Sequence, residues 1–212
     1  MADFLSFKCP YISKAQIICS VEDFRQKYWP DNSFPVNMER IIECGLKIDI
    51  VPERYVDQFN IDAFLNLGCS SIVVSPRQYM DNNDRYANRL RFSFAHEVGH
   101  YVLHKKIYEE MNFNNEYEYI DFIQGIDEKE YKFFEWQANN FAGNLLVPRY
   151  ELSLEINKIM SNFEIDPVLS GILIENPVQV LEGISSSISK KFGVSDEVII
   201  RRANDEKLWP PA

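Results

Sequence analysis

Residues 88–106 read NRLRFSFAHEVGHYVLHKK and residues 135–148 read EWQANNFAGNLLVP, and these two runs decide the architecture. All three histidines of the chain, His96, His100 and His104, fall in the first run at four-residue spacing. In an α-helix four residues advance about 6 Å and rotate about 40°, so His96 and His100 project from one face, close enough to share a tetrahedral metal. Glu97 completes an H-E-x-x-H pattern. Phe94, Val98, Tyr101 and Val102 form the opposite arc, which separates a core side from a metal side. The plain alternative is a solvated helix face that happens to carry two histidines and a carboxylate.

A catalytic zinc keeps three protein ligands and leaves a position for water, so a third ligand is needed. His104 lies eight residues from His96, about 12 Å along a straight helix, a gap that bonds of about 2 Å cannot bridge. Tyr101, Val102 and Leu103 offer no glycine turn to shorten it, so His104 reads as a structural or rim histidine. Glu135, at the front of the second run, is the better candidate. Asn139 lies one turn further on the same face, where it can hold a ligating imidazole by its second nitrogen. Ala138 and Ala142 are small enough to let the two helices approach closely.

Outward from these runs, PVNMERIIECG predicts a helix that opens at Pro35 and stops at Gly45 in the left-handed conformation. Residues 46–51 alternate like a strand, and residues 63–67 and 71–75 predict a hairpin around Gly68, Cys69 and Ser70. The strand at 72–75, just upstream of the histidine helix, is a candidate to hold an extended substrate by main-chain pairing. Residues 107–126 read as an irregular acidic and aromatic connection. Asp127 with Glu130 predicts a capping box for a helix running to about Leu145, before Pro148. Further helices are expected at 149–160, 178–192 and 196–207, with Gly193 ending one and Ser195 capping the last.

The chain has 212 residues and a formal net charge of −10. Such acidity repels phosphate, so direct nucleic-acid binding is not expected, the helix-turn-helix look of the last two helices reads as packing, and a basic partner fits better. Residues 107–135 alone hold nine acidic groups, including Glu109, Glu110, Glu116, Glu118 and Asp121, against Lys129 and Lys132. The N-terminus lacks the pattern of a signal peptide and charges interrupt every apolar run, which predicts no membrane span and a cytoplasmic protein. Cys9, Cys19, Cys44 and Cys69 are expected to be reduced thiols.

RLRFSFAHEVGHYVLH and EWQANNFAGNLLVP, in that order, resemble the two signature segments of the ImmA/IrrE family of zinc metallopeptidases. The resemblance spans roughly residues 35–150 and is weaker in KKFGVSDEVIIRRA, residues 190–203. Val98 and Val147 stand where the family pattern has Leu and Met. The resemblance implies that His96, His100 and Glu135 bind zinc and that Glu97 is the catalytic carboxylate. It further implies an α+β fold: a mostly helical zincin-like domain with a small N-terminal mixed sheet and C-terminal helices. The expected division is an arm at 1–34 of open role, a metallopeptidase core at 35–160 and a helical segment at 161–212 packed on it. Several family members cleave a helix-turn-helix repressor, which makes a basic DNA-binding repressor, or an antitoxin-like partner, the expected substrate. The competing reading is a metal-dependent sensor or interaction module that binds a repressor without cutting it. Retention of Glu97 favours catalysis, with the residue that stabilises the oxyanion open between such groups as Arg91 and Tyr101.

Overall fold

Ser13 opens the first helix by a reciprocal pair of hydrogen bonds: its hydroxyl accepts from the Gln16 N–H at 3.3 Å, and the Gln16 side chain accepts from the Ser13 N–H at 2.9 Å. Helix α1 (Lys14–Tyr28) then buries Ile17, Val21 and Phe24. The computed structural model describes residues 7–59, 61–81, 83–111, 122 and 125–210. The segment before residue 35, whose role the sequence left open, therefore contributes a helix to the hydrophobic core.

Helix α2 (Met38–Arg40) starts at Asn37, whose side chain accepts from the Arg40 N–H at 2.8 Å, and not at Pro35. It widens into a π-helical turn over Ile41–Leu46. That wider turn carries the chain past Gly45, so the left-handed residue is Lys47 (φ 60°), whose N–H reaches the Ile42 carbonyl. The expected stop at Gly45 is corrected accordingly.

Strands β1 (Asp49–Pro52), β2 (Ala63–Leu65) and β3 (Ser71–Val74) form a mixed sheet in the order β1-β3-β2. Ile50 lies opposite Ile72 in the parallel pair and Phe64 opposite Val73 in the antiparallel pair. The hairpin loop is held by the Asn66 side-chain oxygen, which accepts from the N–H groups of Ser70 and Ser71. This topology corrects the expectation for residues 72–75. Because β3 is central and paired on both sides, its backbone is not free to hold a substrate; β1 and β2 form the edges.

Helices α3 (Pro76–Tyr79), α4 (Asp84–Met111), α5 (Glu128–Leu146), α6 (Arg149–Ile165), α7 (Pro167–Glu175), α8 (Pro177–Phe192) and α9 (Asp196–Asp205) complete the chain. The fold is α+β and mostly helical, as expected. Helix α4 runs through residues 107–111, where an irregular connection was anticipated, because Ile107 and Tyr108 still face the core. The remainder of that acidic connection, with Glu116, Glu118 and Asp121, lies outside the described residues. The Asp127 side chain caps α5 through the Lys129 N–H, but Glu130 does not close the box. Its carboxylate instead accepts from the Cys9 N–H at 2.8 Å and from Lys8 at 3.1 Å, which ties the N-terminal segment to the first turn of α5. Helix α8 ends at Gly193 (φ 62°), and Ser195 occupies the cap position of α9 with no side-chain bond to the helix backbone.

The core sits where α4, α5 and α1 meet. Phe94, Phe134, Phe141 and Leu145 are fully buried there, each such side chain stabilising by roughly 1.5–3 kcal/mol. Helices α4 and α5 touch at backbone distance: a Cβ placed on Gly99 would stand 3.0 Å from the Ala138 carbonyl oxygen and 3.2 Å from its Cα. Among the described residues no helix is long and apolar enough to cross a membrane.

Candidate metal centre

The Gly99–Ala138 contact decides what the facing side chains can do, because it brings one turn of α4 against one turn of α5. His96 and His100 project from α4 with their Nε2 atoms 3.0 Å apart. Glu135 meets them from α5, one oxygen 3.2 Å from His96 Nε2 and the other 3.4 Å from His100 Nε2. One ligand atom from each residue lies within 4.8 Å of the other two, a set that can hold a metal ion. Two nitrogens bound tetrahedrally to one zinc stand about 3.3 Å apart, so the spacing fits that ion with little movement.

The environment prepares the donors. Asn139 Oδ1 lies 3.1 Å from His96 Nδ1 and can accept its proton, which leaves Nε2 with its lone pair toward Glu135. Burial alone would push the Glu135 carboxyl up, but the hydrogen bonds and charges of His100 and His96 outweigh it and hold the group well below the usual carboxylate range. Burial likewise opposes charge on His96, yet Glu135 and Glu97 together leave its pKa raised. A cluster of two imidazoles and one carboxylate that favours positive charge in its centre is the electrostatic setting of a cation site.

Glu97 is 8 % exposed and points into the same space. One of its oxygens accepts from the Leu65 N–H at 2.7 Å, which fastens it to the edge strand β2, and the other is 4.0 Å from His96 Nε2. Burial pushes its pKa up, against the pull of His96, His100 and the Leu65 N–H. Helix α4 and strand β2 thus converge on this one carboxylate.

His104 is 1 % exposed and does not join the ligand set; its Nδ1 is 2.9 Å from His100 Nδ1 and its Nε2 is 2.8 Å from Gln137 Oε1. Burial, with His100 beside it, pushes its pKa down to about 3, so it is neutral at ordinary pH. Arg91 is turned away, donating to the Gly193 carbonyl and to Asn88, and Tyr101 sits under Lys105 on the side of α4 that faces α1. Neither reaches the cluster as a second electrophile. The sequence reading missed Tyr131, which precedes Glu135 by one turn of α5 and whose phenol is pushed up by burial and by the charges of Glu135 and Glu97. The four-residue step back from Glu135 was the available signal. Tyr131, Glu135, Asn139, Trp136 and Phe92 line one side of a cavity of about 600 Å³ that α9 closes with Val198 and Arg201.

A family model described as the IrrE N-terminal-like domain, a metallopeptidase family, matches residues 82–204. The match covers more than half of the chain; it takes in α6 to α9 and leaves the sheet outside, where the resemblance read from the sequence ran over residues 35–150. No curated protein matches the chain.

Proposed function

The chain belongs to the IrrE N-terminal-like family of metallopeptidases, and we propose that it is a zinc endopeptidase of the bacterial cytoplasm that cuts a helix-turn-helix repressor or an antitoxin-like partner, and so relieves repression. The observation that carries this reading is the meeting of His96 Nε2, His100 Nε2 and the Glu135 carboxylate beside Glu97, with Glu135 and Asn139 also lining the neighbouring cavity. Zinc, when bound, lowers the pKa of a water and polarises a carbonyl. Glu97, tethered by one oxygen to Leu65, keeps the other free toward the ligand nitrogens, where it accepts a proton and later delivers it to the leaving amine.

Strand β2 positions Glu97 by its outer edge. The bonds from Asn66 N–H to the Ser71 carbonyl and from Ser75 N–H to the Asp62 carbonyl set the alternation of the ladder, so the main chains of Ala63 and Leu65 face away from β3. On that side Glu97 already takes the Leu65 N–H, and Ala63 and Leu65 are both buried, so this edge serves to seat the catalytic carboxylate. The net charge of −10 supports a basic partner such as a DNA-binding repressor, through steering of the encounter.

Glu97→Gln tests the reading. The amide keeps shape and ligands but cannot act as base, so the variant should retain zinc and partner binding while cleavage falls at least ~100-fold. A small helix-turn-helix protein encoded next to this chain is the first substrate to try. Cleavage at the wild-type rate would remove Glu97 from the mechanism, and a wild-type chain that binds the repressor and leaves it intact would select the sensor reading instead.

A further inference from the structure

We propose that His104, Gln137 and the Pro10 carbonyl form a hydrogen-bond relay that fixes His100 in the tautomer protonated on Nδ1, so that its Nε2 lone pair faces the metal ligands. The inference rests on the reading of His100 as a ligand and adds two positioning residues and a piece of the N-terminal segment to the site.

The direction of every proton follows from one end of the chain of bonds. The Pro10 carbonyl can only accept, and the Gln137 side chain meets it at 2.9 Å, so the group facing it is the amide NH₂. That orientation turns Gln137 Oε1, an acceptor, toward His104 Nε2 at 2.8 Å, which must therefore carry a hydrogen. A neutral imidazole with Nε2 protonated has a bare Nδ1. His100 Nδ1, 2.9 Å away, can satisfy that bare nitrogen only by donating to it. His100 then has its hydrogen on Nδ1 and its lone pair on Nε2, where His96 and Glu135 converge. Reversing any one bond would set two donors or two acceptors against each other in a dry interior, since Gln137, His104 and His100 are all at most 3 % exposed.

Packing holds the rings at these angles. Phe134 stacks on His104 with centroids 4.1 Å apart and lies 4.5 Å from His100. The acceptor end is anchored as well, because the Glu130 carboxylate holds the Cys9 N–H next to Pro10, and Cys9 Sγ lies 3.7 Å from the same Gln137 nitrogen. Asn139 can set the tautomer of His96 through one bond, whereas that of His100 is set through three bonds that end on the Pro10 carbonyl of the N-terminal segment.

The test reads tautomers directly. The full chain carries only three histidines, so long-range ¹H–¹⁵N spectra of histidine-labelled protein, zinc-loaded and after chelator treatment, resolve each ring. His104 should show a protonated Nε2 and a bare Nδ1 in both states, and His100 a protonated Nδ1 after zinc is removed. In Gln137→Leu, which deletes the acceptor, His104 should lose its single tautomer and the zinc dissociation constant should rise about 10–100-fold. A protonated Nδ1 on His104, or a Gln137→Leu chain with unchanged tautomers and zinc affinity, would overturn the relay; the wild-type spectra decide the matter even where Gln137→Leu does not fold. A chain that shows these tautomers but takes up no zinc supports the relay and overturns the metallopeptidase reading instead.

Discussion

Asn139 and Leu65 illustrate two ways in which single residues make the cluster of His96, His100 and Glu135 usable. Asn139 comes one turn after Glu135 on the same helix, so its reach to His96 Nδ1 was legible from spacing alone. The Leu65 N–H, which fastens Glu97, belongs to a strand 32 residues upstream, and no local pattern could announce a bond made by tertiary packing. Gln137 was hidden for the same reason, because its partner is the Pro10 carbonyl, 127 positions away. His104 was legible as structural because helix rise alone keeps it from His96, although its contact with His100 was not. Asn139→Leu keeps the volume and removes the acceptor for His96 Nδ1. The zinc dissociation constant of this variant should rise about 10–100-fold with helix content unchanged, as measured by competition with a chromophoric chelator and by circular dichroism. An unchanged constant would mean that packing alone orients His96.

The helices α4 and α5 were legible as elements because each carries its signature in one continuous run, but their crossing depends on Gly99, a position that in sequence is only one of the two free letters in H-E-x-x-H. With 3.0 Å between its missing Cβ and the Ala138 carbonyl, a larger side chain must push the helices apart. Because Glu135 comes from one helix and both histidines from the other, that separation opens the ligand triangle. Gly99→Val should therefore raise the zinc dissociation constant at least ~10-fold while the chain remains helical; an unchanged value would show that the crossing tolerates the shift. Helix α1 was the element the sequence concealed. Its buried positions Ile17, Val21 and Phe24 are spaced for one face, yet Cys19, Glu22, Asp23 and Lys27 leave so narrow a stripe that only the packing of Phe24 on Phe141 makes it visible. Helix α7 escaped for the opposite reason: it buries no side chain, so no periodic contrast marks it.

Across the whole molecule, the two ends of the chain close around the metal-bearing helices. Arg202 of α9, 4 % exposed, donates to the Val147 carbonyl and to Asn144 of α5, and pairs with Glu206 at 2.7 Å. Lys14 of α1 and Arg149 of α6 reach the same carboxylate at 3.1 and 3.6 Å. Burial alone would push the Glu206 carboxyl up, but Arg202 and Lys14 outweigh it and hold its pKa down. A carboxyl with a depressed folded pKa adds stability that is present above its unfolded value, about 4.3, and is lost as pH falls through the folded value. Glu206→Gln should therefore destabilise the chain by about 3 kcal/mol at pH 7, with a smaller difference at pH 3, as read from urea denaturation at the two pH values. Equal losses at both would assign the effect to packing rather than to charge. The core that surrounds these ends is large enough to keep the fold without metal, unlike a zinc finger, so metal content can be measured separately from folding. The most direct test of the account is therefore the zinc-to-chain ratio of the purified protein by inductively coupled plasma mass spectrometry. The account predicts about one zinc per wild-type chain and essentially none in the His96→Ala, His100→Ala double variant, with both chains folded; full occupancy in the double variant would contradict it.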